Sequence, residues 1–91
     1  MQAATKKSCL QRLTRIAGQV RGVSGMIEDD RYCIDILTQV QAVRAALAKV
    51  ETEMLRDHLG HCIEGAIVSG DLDEQRRKAS ELIQLLERTA R

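Results

Sequence analysis

The sequence predicts an all-α protein with three helices per chain, on three observations. The 91 residues include no Pro, Trp or Phe and one aromatic residue, Tyr32, so Leu, Ile, Val and Ala must do the packing. Apolar residues recur every three or four positions, the helical period, with few β-branched clusters at period two. Two short polar stretches, "EDDRYC" and "SGDLDE", interrupt the pattern. The length suits one domain, residues 1–91. A chain this short buries little core alone, so self-association is expected.

The first helix is expected from about Thr5 to Glu28. Ser8 with Gln11 resembles a capping box. Leu10, Leu13, Ile16, Val20, Val23 and Ile27 share a face, and Cys9 can join that stripe as core. Gly18, Gly22 and Gly25 each cost a helix roughly 1 kcal/mol against Ala. Their near-helical spacing suggests a neighbouring backbone packed close by.

Asp29 and Asp30 are suited to capping the second helix. That helix is expected from about Arg31 to at least Leu59, extending as far as Val68, with Gly60 and Gly65 bending its far end. Ile36, Val40, Val43, Leu47, Val50 and Met54 form a heptad seam. At about 1.5 Å per residue the helix is some 40 Å long. It therefore calls for a second copy to pair with. Gly70 is a stop signal, and Asp71 with Glu74 caps a third helix from about Leu72 to Thr89. Ala79, Leu82, Ile83 and Leu86 give that helix one apolar face.

The net charge of +1 conceals an asymmetry. Lys6, Lys7, Arg12, Arg15 and Arg21 all precede the first acid, Glu28. The first 27 residues carry five positive side chains and no negative one, and the other 64 sum to −4. A basic N-terminal third suggests a polyanionic partner. No stretch is apolar and long enough to span a bilayer, and "MQAATKKSC" lacks a signal-peptide core. A soluble, cytoplasmic protein is expected, with no membrane partner. Three cysteines without a CxxC make no disulfide framework. In a reducing compartment they are free thiols, ligands or reactive groups.

His58 and Cys62 stand four residues apart, one turn along a helix face. Cys33 lies 25 residues before His58 and 29 before Cys62. At about 100° per residue, His58 falls about 20° to one side of Cys33 and Cys62 about 20° to the other. Along a continuous helix, however, Cys33 is roughly 37 to 43 Å from them. One chain cannot close such a site, but an antiparallel copy can. The twofold would fall near residues 46–47, where "RAALA" supplies small residues, and each dimer would hold two shared sites. Two thiols and an imidazole are soft donors. Three ligands are one short of a structural Zn(II) site, so Cu(I) fits best. Ni(II), with an added donor, and Zn(II) are the alternatives, and two facing thiols also suit a persulfide sensor without metal. His61 points more than a quarter turn from His58 and is expected at the surface. Met26 and Met54 are expected to pack rather than ligate.

"RLTRIAGQVRGV", "YCIDILTQVQAV" and "DHLGHC" resemble the copper-sensitive operon repressor family, also called CsoR/RcnR/FrmR, over nearly the whole chain. The resemblance implies three-helix chains in antiparallel dimers that pair into flat homotetramers. It implies a repressor that binds double-stranded operator DNA without metal and leaves it when the inducer binds. In the copper branch the ligands are Cys, His and Cys, which match Cys33, His58 and Cys62. Tyr32 and Glu81 match positions that couple metal binding to DNA release, the latter across a gap in "GDLDEQRRKASEL". Arg12 and Lys49 match basic positions used for DNA; with Lys6, Lys7, Arg15 and Arg21, and with Arg44, they form the expected DNA-binding set. Several members have a basic residue where Ala17 stands. The persulfide branch lacks the His, so His58 points toward copper, although a nickel sensor with the same ligand set exists.

Two other classes remain. A copper carrier or buffer has no use for the basic N-terminal third, and an inert helical oligomer would leave its thiols without a role. An enzyme is not expected, because no nucleophile–base–orienter set is present.

Overall fold

The computed structural model describes residues 1–89, leaving aside the side chain of Thr89. The described residues are helical apart from the first two residues and two connectors. Helix α1 spans Ala3–Glu28 and α2 spans Cys33–His58; a π-helical turn, Leu59–Ile63, leads into α3, Glu64–Ser69. Helix α4 spans Leu72–Thr89. Helical backbone thus runs unbroken from Cys33 to Ser69, so α2, the π turn and α3 are together the second of the three expected helices.

Helix α1 begins two residues earlier than the expected Thr5. Its N-cap position is Gln2, which makes no side-chain capping bond, and the Lys6 N–H donates to the Gln2 carbonyl at 2.9 Å. Ser8 and Gln11 are therefore interior positions. Ala3, Ala4, Lys6 and Lys7 are good helix formers and carry the helix back without a cap.

The acids of the "EDDRYC" connector take a different role from the expected one. Asp29 is the C-cap of α1, and Asp30 sits in the left-handed region at φ 53°. The Asp30 N–H donates to the Ile27 carbonyl at 3.2 Å and the Arg31 N–H to the Met26 carbonyl at 3.0 Å. This is a Schellman closure with Asp where Gly is commoner, and a short polar side chain is among the few that tolerate such a backbone. The acids end α1 rather than begin α2. The acid in the first turn of α2 is Asp35, placed to complement the helix dipole.

The chain divides into two compact units, Met1–Leu55 and a second beginning at Arg56. In the first, α1 and α2 form an antiparallel hairpin. Cys9, Ile16 and Val50 are its buried residues, with Val43 and Ala46 packed against them. The expected heptad seam of α2 is divided: Val50 is buried and Ile36 and Val43 are half-buried, whereas Val40, Leu47 and Met54 remain exposed. On α1, Leu10, Leu13, Val20 and Ile27 are exposed as well. The helices are amphipathic over a face wider than one neighbour covers. Of "RAALA", Ala46 packs on the α1 side, while Arg44, Leu47 and Ala48 are exposed. Among the described residues no neighbouring element approaches the α1 glycines: a Cβ at Gly22 or Gly25 would meet nothing within 4 Å outside its own helix backbone, and one at Gly18 would meet Arg21 Nη2.

In the second unit α4 packs against α3 and the π turn. The Gln75 amide donates to the Ala66 carbonyl at 3.4 Å, and Ala66 is buried there. The α3–α4 corner has the expected chemistry. Gly70 takes φ 69° as the C-cap of α3. Asp71 Oδ1 accepts from the Asp73 N–H at 3.0 Å and the Glu74 N–H at 3.4 Å, satisfying two donors that a helix start leaves free. A Gly70→Ala substitution should cost about 1 kcal/mol, because Ala is strained at positive φ. Asp71→Ala should cost about 0.5–2 kcal/mol through the lost cap. Urea unfolding with an unchanged m-value checks both.

Candidate functional site

The three candidate metal donors fall at the ends of one helix and just beyond it. Cys33 is the first residue of α2 and His58 the last. A 26-residue helix is about 38 Å long at 1.5 Å per residue. Cys33 is exposed, and His58 and Cys62 are half-buried. No disulfide engages Cys9, Cys33 or Cys62. Among the described residues of the single chain, no three His, Cys, Asp or Glu side chains gather so as to hold a metal ion.

The π turn bears on the His58–Cys62 pair. Cys62 lies in it, and His58 immediately precedes it. In an α-helix, residues four apart overshoot a full turn by about 40°. The i→i+5 bonding of a π turn puts more than four residues in each turn, so the angle between His58 and Cys62 departs from the one a continuous α-helix would set. Gly60, expected to bend the helix, occupies this turn, where its low helix propensity reduces the cost of leaving α geometry. Nothing in the sequence pattern points directly to a π register.

The remaining candidates are dispersed. Tyr32 is exposed, and its carbonyl accepts the Ile36 N–H at 3.2 Å as α2 begins. Glu81 lies on α4, its Oε2 3.5 Å from Lys78 Nζ; Lys78 also approaches Glu74 at 3.9 Å. His61 is exposed, with Nε2 3.7 Å from Asp57 Oδ1. Cys9 is 5% exposed in the hairpin core, as its place in the apolar stripe suggested. Met26 is half-buried and Met54 exposed.

The basic residues divide into groups. Arg12, Arg15 and Gln19 of α1 and Ala42, Ala45 and Lys49 of α2 line one groove of about 360 Å³ in the hairpin. Small alanines on one wall let the cationic stems stand around an open floor. Lys6 and Lys7 border a separate shallow patch with Leu10 and Thr14. Arg21 lies on α1 with Nη2 3.6 Å from where a Gly18 Cβ would be. Arg44 lines a further depression with Gln41. One pairing was not foreseeable from the sequence. Arg12 Nε donates to Glu53 Oε2 at 3.2 Å, a contact 41 residues apart that only the register of the hairpin reveals.

An all-helical chain with a basic first helix and soft donors at the ends of its second belongs to a recognisable class. The chain belongs to the metal-sensitive transcriptional repressor family, whose model matches residues 5–88. It is similar to the copper-sensing transcriptional repressor CsoR of Bacillus subtilis, 53% identical over 66 residues, which are 72% of this chain and 65% of that protein. The match thus spans just under two thirds of that relative's length. Among solved structures it resembles copper-sensing CsoR with Cu(I) from Geobacillus thermodenitrificans, with TM-score 0.89 and 40% identity, covering 100% of this chain and 92% of that one. It also resembles the nickel-responsive regulator InrS, with TM-score 0.79 and 38% identity, covering 90% of this chain and 89% of that one.

Burial predicts the order in which the thiols react. In the folded apo protein, iodoacetamide should modify Cys33 and Cys62 about tenfold or more faster than Cys9, since reactivity follows access to the thiolate. Peptide mass mapping over time reads the order, and denaturant should abolish the difference.

Proposed function

We propose that this chain is a copper-responsive repressor that binds operator DNA without metal and releases it when Cu(I) binds between subunits. Residues 1–91 act as one functional domain, a reading supported by a single family model that spans both compact units. The observation that carries the reading is the placement of donors on α2: Cys33 opens the helix and His58 closes it. A rigid helix cannot bring its own ends together. An antiparallel pair of α2 helices can set Cys33 of one subunit beside His58 and Cys62 of its partner. The exposed Val40, Leu47 and Met54 supply the apolar surface for such a pairing, and the exposed edge of α1 supports further assembly into a tetramer.

The donor set fits the ion. Cys33 and Cys62 are free and offer thiolates, His58 offers a neutral imidazole nitrogen, and the trio suits a soft monovalent metal. Bound Cu(I) would supply a bridge between subunits. Tyr32, next to Cys33, and Glu81 on α4 would transmit that bridging to the assembly. On the DNA side, Arg12, Arg15 and Lys49 around one groove, with Lys6, Lys7, Arg21 and Arg44, contact mainly phosphates of a duplex. A quaternary arrangement that gathers the donors and misaligns these groups favours release. By linkage, DNA weakens metal binding by the same factor. A cytoplasmic location follows from this role, and no helix among the described residues is long and apolar enough to cross a membrane. Catalysis has no part in it.

Nickel is the second reading, favoured by the likeness to InrS. Anaerobic fluorescence anisotropy with duplex DNA from the chain's own upstream region separates the possibilities. Cu(I) should release the DNA at about one equivalent per chain, ahead of Ni(II), Zn(II), formaldehyde and a persulfide donor. Release by Ni(II) or the persulfide donor with Cu(I) inert would overturn the copper assignment, and failure of the apo protein to bind any duplex would overturn the repressor reading. Cys33→Ala should keep DNA affinity and lose copper-induced release. Lys49→Ala should weaken binding across sequences and flatten the log K against log salt slope by about one per phosphate contact removed.

A further inference from the structure

We infer that Glu53 attenuates DNA binding by occupying Arg12, and so sets the apo repressor's affinity. The inference rests on the repressor reading above. Arg12 lines the α1–α2 groove with Arg15, Gln19 and Lys49, yet its Nε is already engaged by Glu53 Oε2 at 3.2 Å. Arg12 is 44% exposed and Glu53 30%, so both remain within reach of an arriving polyanion. Among the described residues, Arg12 is the only ion-pair partner of Glu53. A planar guanidinium recognises carboxylate and phosphate by the same paired geometry. Glu53 engages Arg12 through Nε alone, competing there with a phosphate, and its charge repels a phosphate approaching Lys49 one turn back on α2.

Two consequences follow from the electrostatics. An exposed ion pair contributes little to folding, so its function is not explained by stability. Arg12 neutralised by Glu53 displaces less of the DNA's condensed counterion atmosphere than a free Arg12 would, so binding loses part of its counterion release. Glu53 is a positioning residue, acting on DNA through Arg12.

The test compares wild type, Glu53→Gln, Glu53→Ala, Glu51→Gln, Arg12→Ala and the Arg12→Ala/Glu53→Gln double variant, all metal-free. Glu51 is exposed on the same helix and matches the charge change without an Arg12 contact. Anisotropy titrations use a labelled upstream duplex and a labelled random-sequence duplex, between about 50 and 200 mM salt. Both Glu53 variants should bind about threefold or more tighter than wild type, with a salt slope steeper by up to about one per Arg12 contact. Glu51→Gln should gain less, and the Glu53→Gln gain should shrink to that of Glu51→Gln once Arg12 is Ala. Unchanged or weaker binding by the Glu53 variants overturns the inference. So does an equal gain from Glu51→Gln, or a full gain without Arg12. Wild type that binds neither duplex brings down the repressor reading and this inference together, whereas wild type that binds with Glu53 variants unchanged brings down the inference alone.

Discussion

A helix is a rod, and a rod cannot close on its own ends. Helix α2 carries a thiol at its first residue and an imidazole at its last, and most of the proposed chemistry follows from that constraint. Donors at opposite ends are useless to a single chain and complementary to an antiparallel neighbour. In the proposed reading, donors placed this way make metal occupancy report on assembly. A donor set gathered within one chain would bind metal without disturbing the quaternary arrangement.

The α1–α2 hairpin supplies what the rod needs. Its seam is narrow: Cys9, Ile16 and Val50 are buried, with Val43 and Ala46 beside them. The apolar surface left over on both helices is extensive, and burial of such surface is the main driving force of association. The same register that packs this seam brings Arg12 and Arg15 across from Lys49 and Arg12 onto Glu53. Packing and the candidate DNA surface are thus two sides of one helix pair.

What could be read in the sequence was local. Gly70 as a stop and Asp71 as a cap were legible because a left-handed stop and an Asx cap are each set by one side chain and its neighbours. Residue counts could place Cys33 and His58 at opposite ends of one helix, as the structure has them, because an α-helix converts counts into lengths; the step to Cys62 passes through the π turn, where that conversion no longer holds. Asp29 and Asp30 misled, since an Asp suits a helix N-terminus and also tolerates the left-handed closure of the helix before it. The heptad stripe of α2 showed which residues are apolar but not that Val50 would face α1 while Leu47 stayed exposed. The Arg12–Glu53 pair was out of reach because it depends on the register between two helices. The π turn was out of reach because its hydrogen-bond ladder has no residue signature of its own.

That turn also bears on how such a protein can change over generations. A π turn is helix with slack in its hydrogen-bond ladder, a local widening absorbed within Leu59–Ile63. Losing a codon there would tighten the coil to ordinary α geometry and shift the spacing between His58 and the thiol after it, while the flanking helices kept their own winding. The same loss in the middle of α2 would swing everything beyond it by about 100°. The interval between His58 and Cys62 therefore sits where an insertion or deletion least disturbs the winding of the flanking helices.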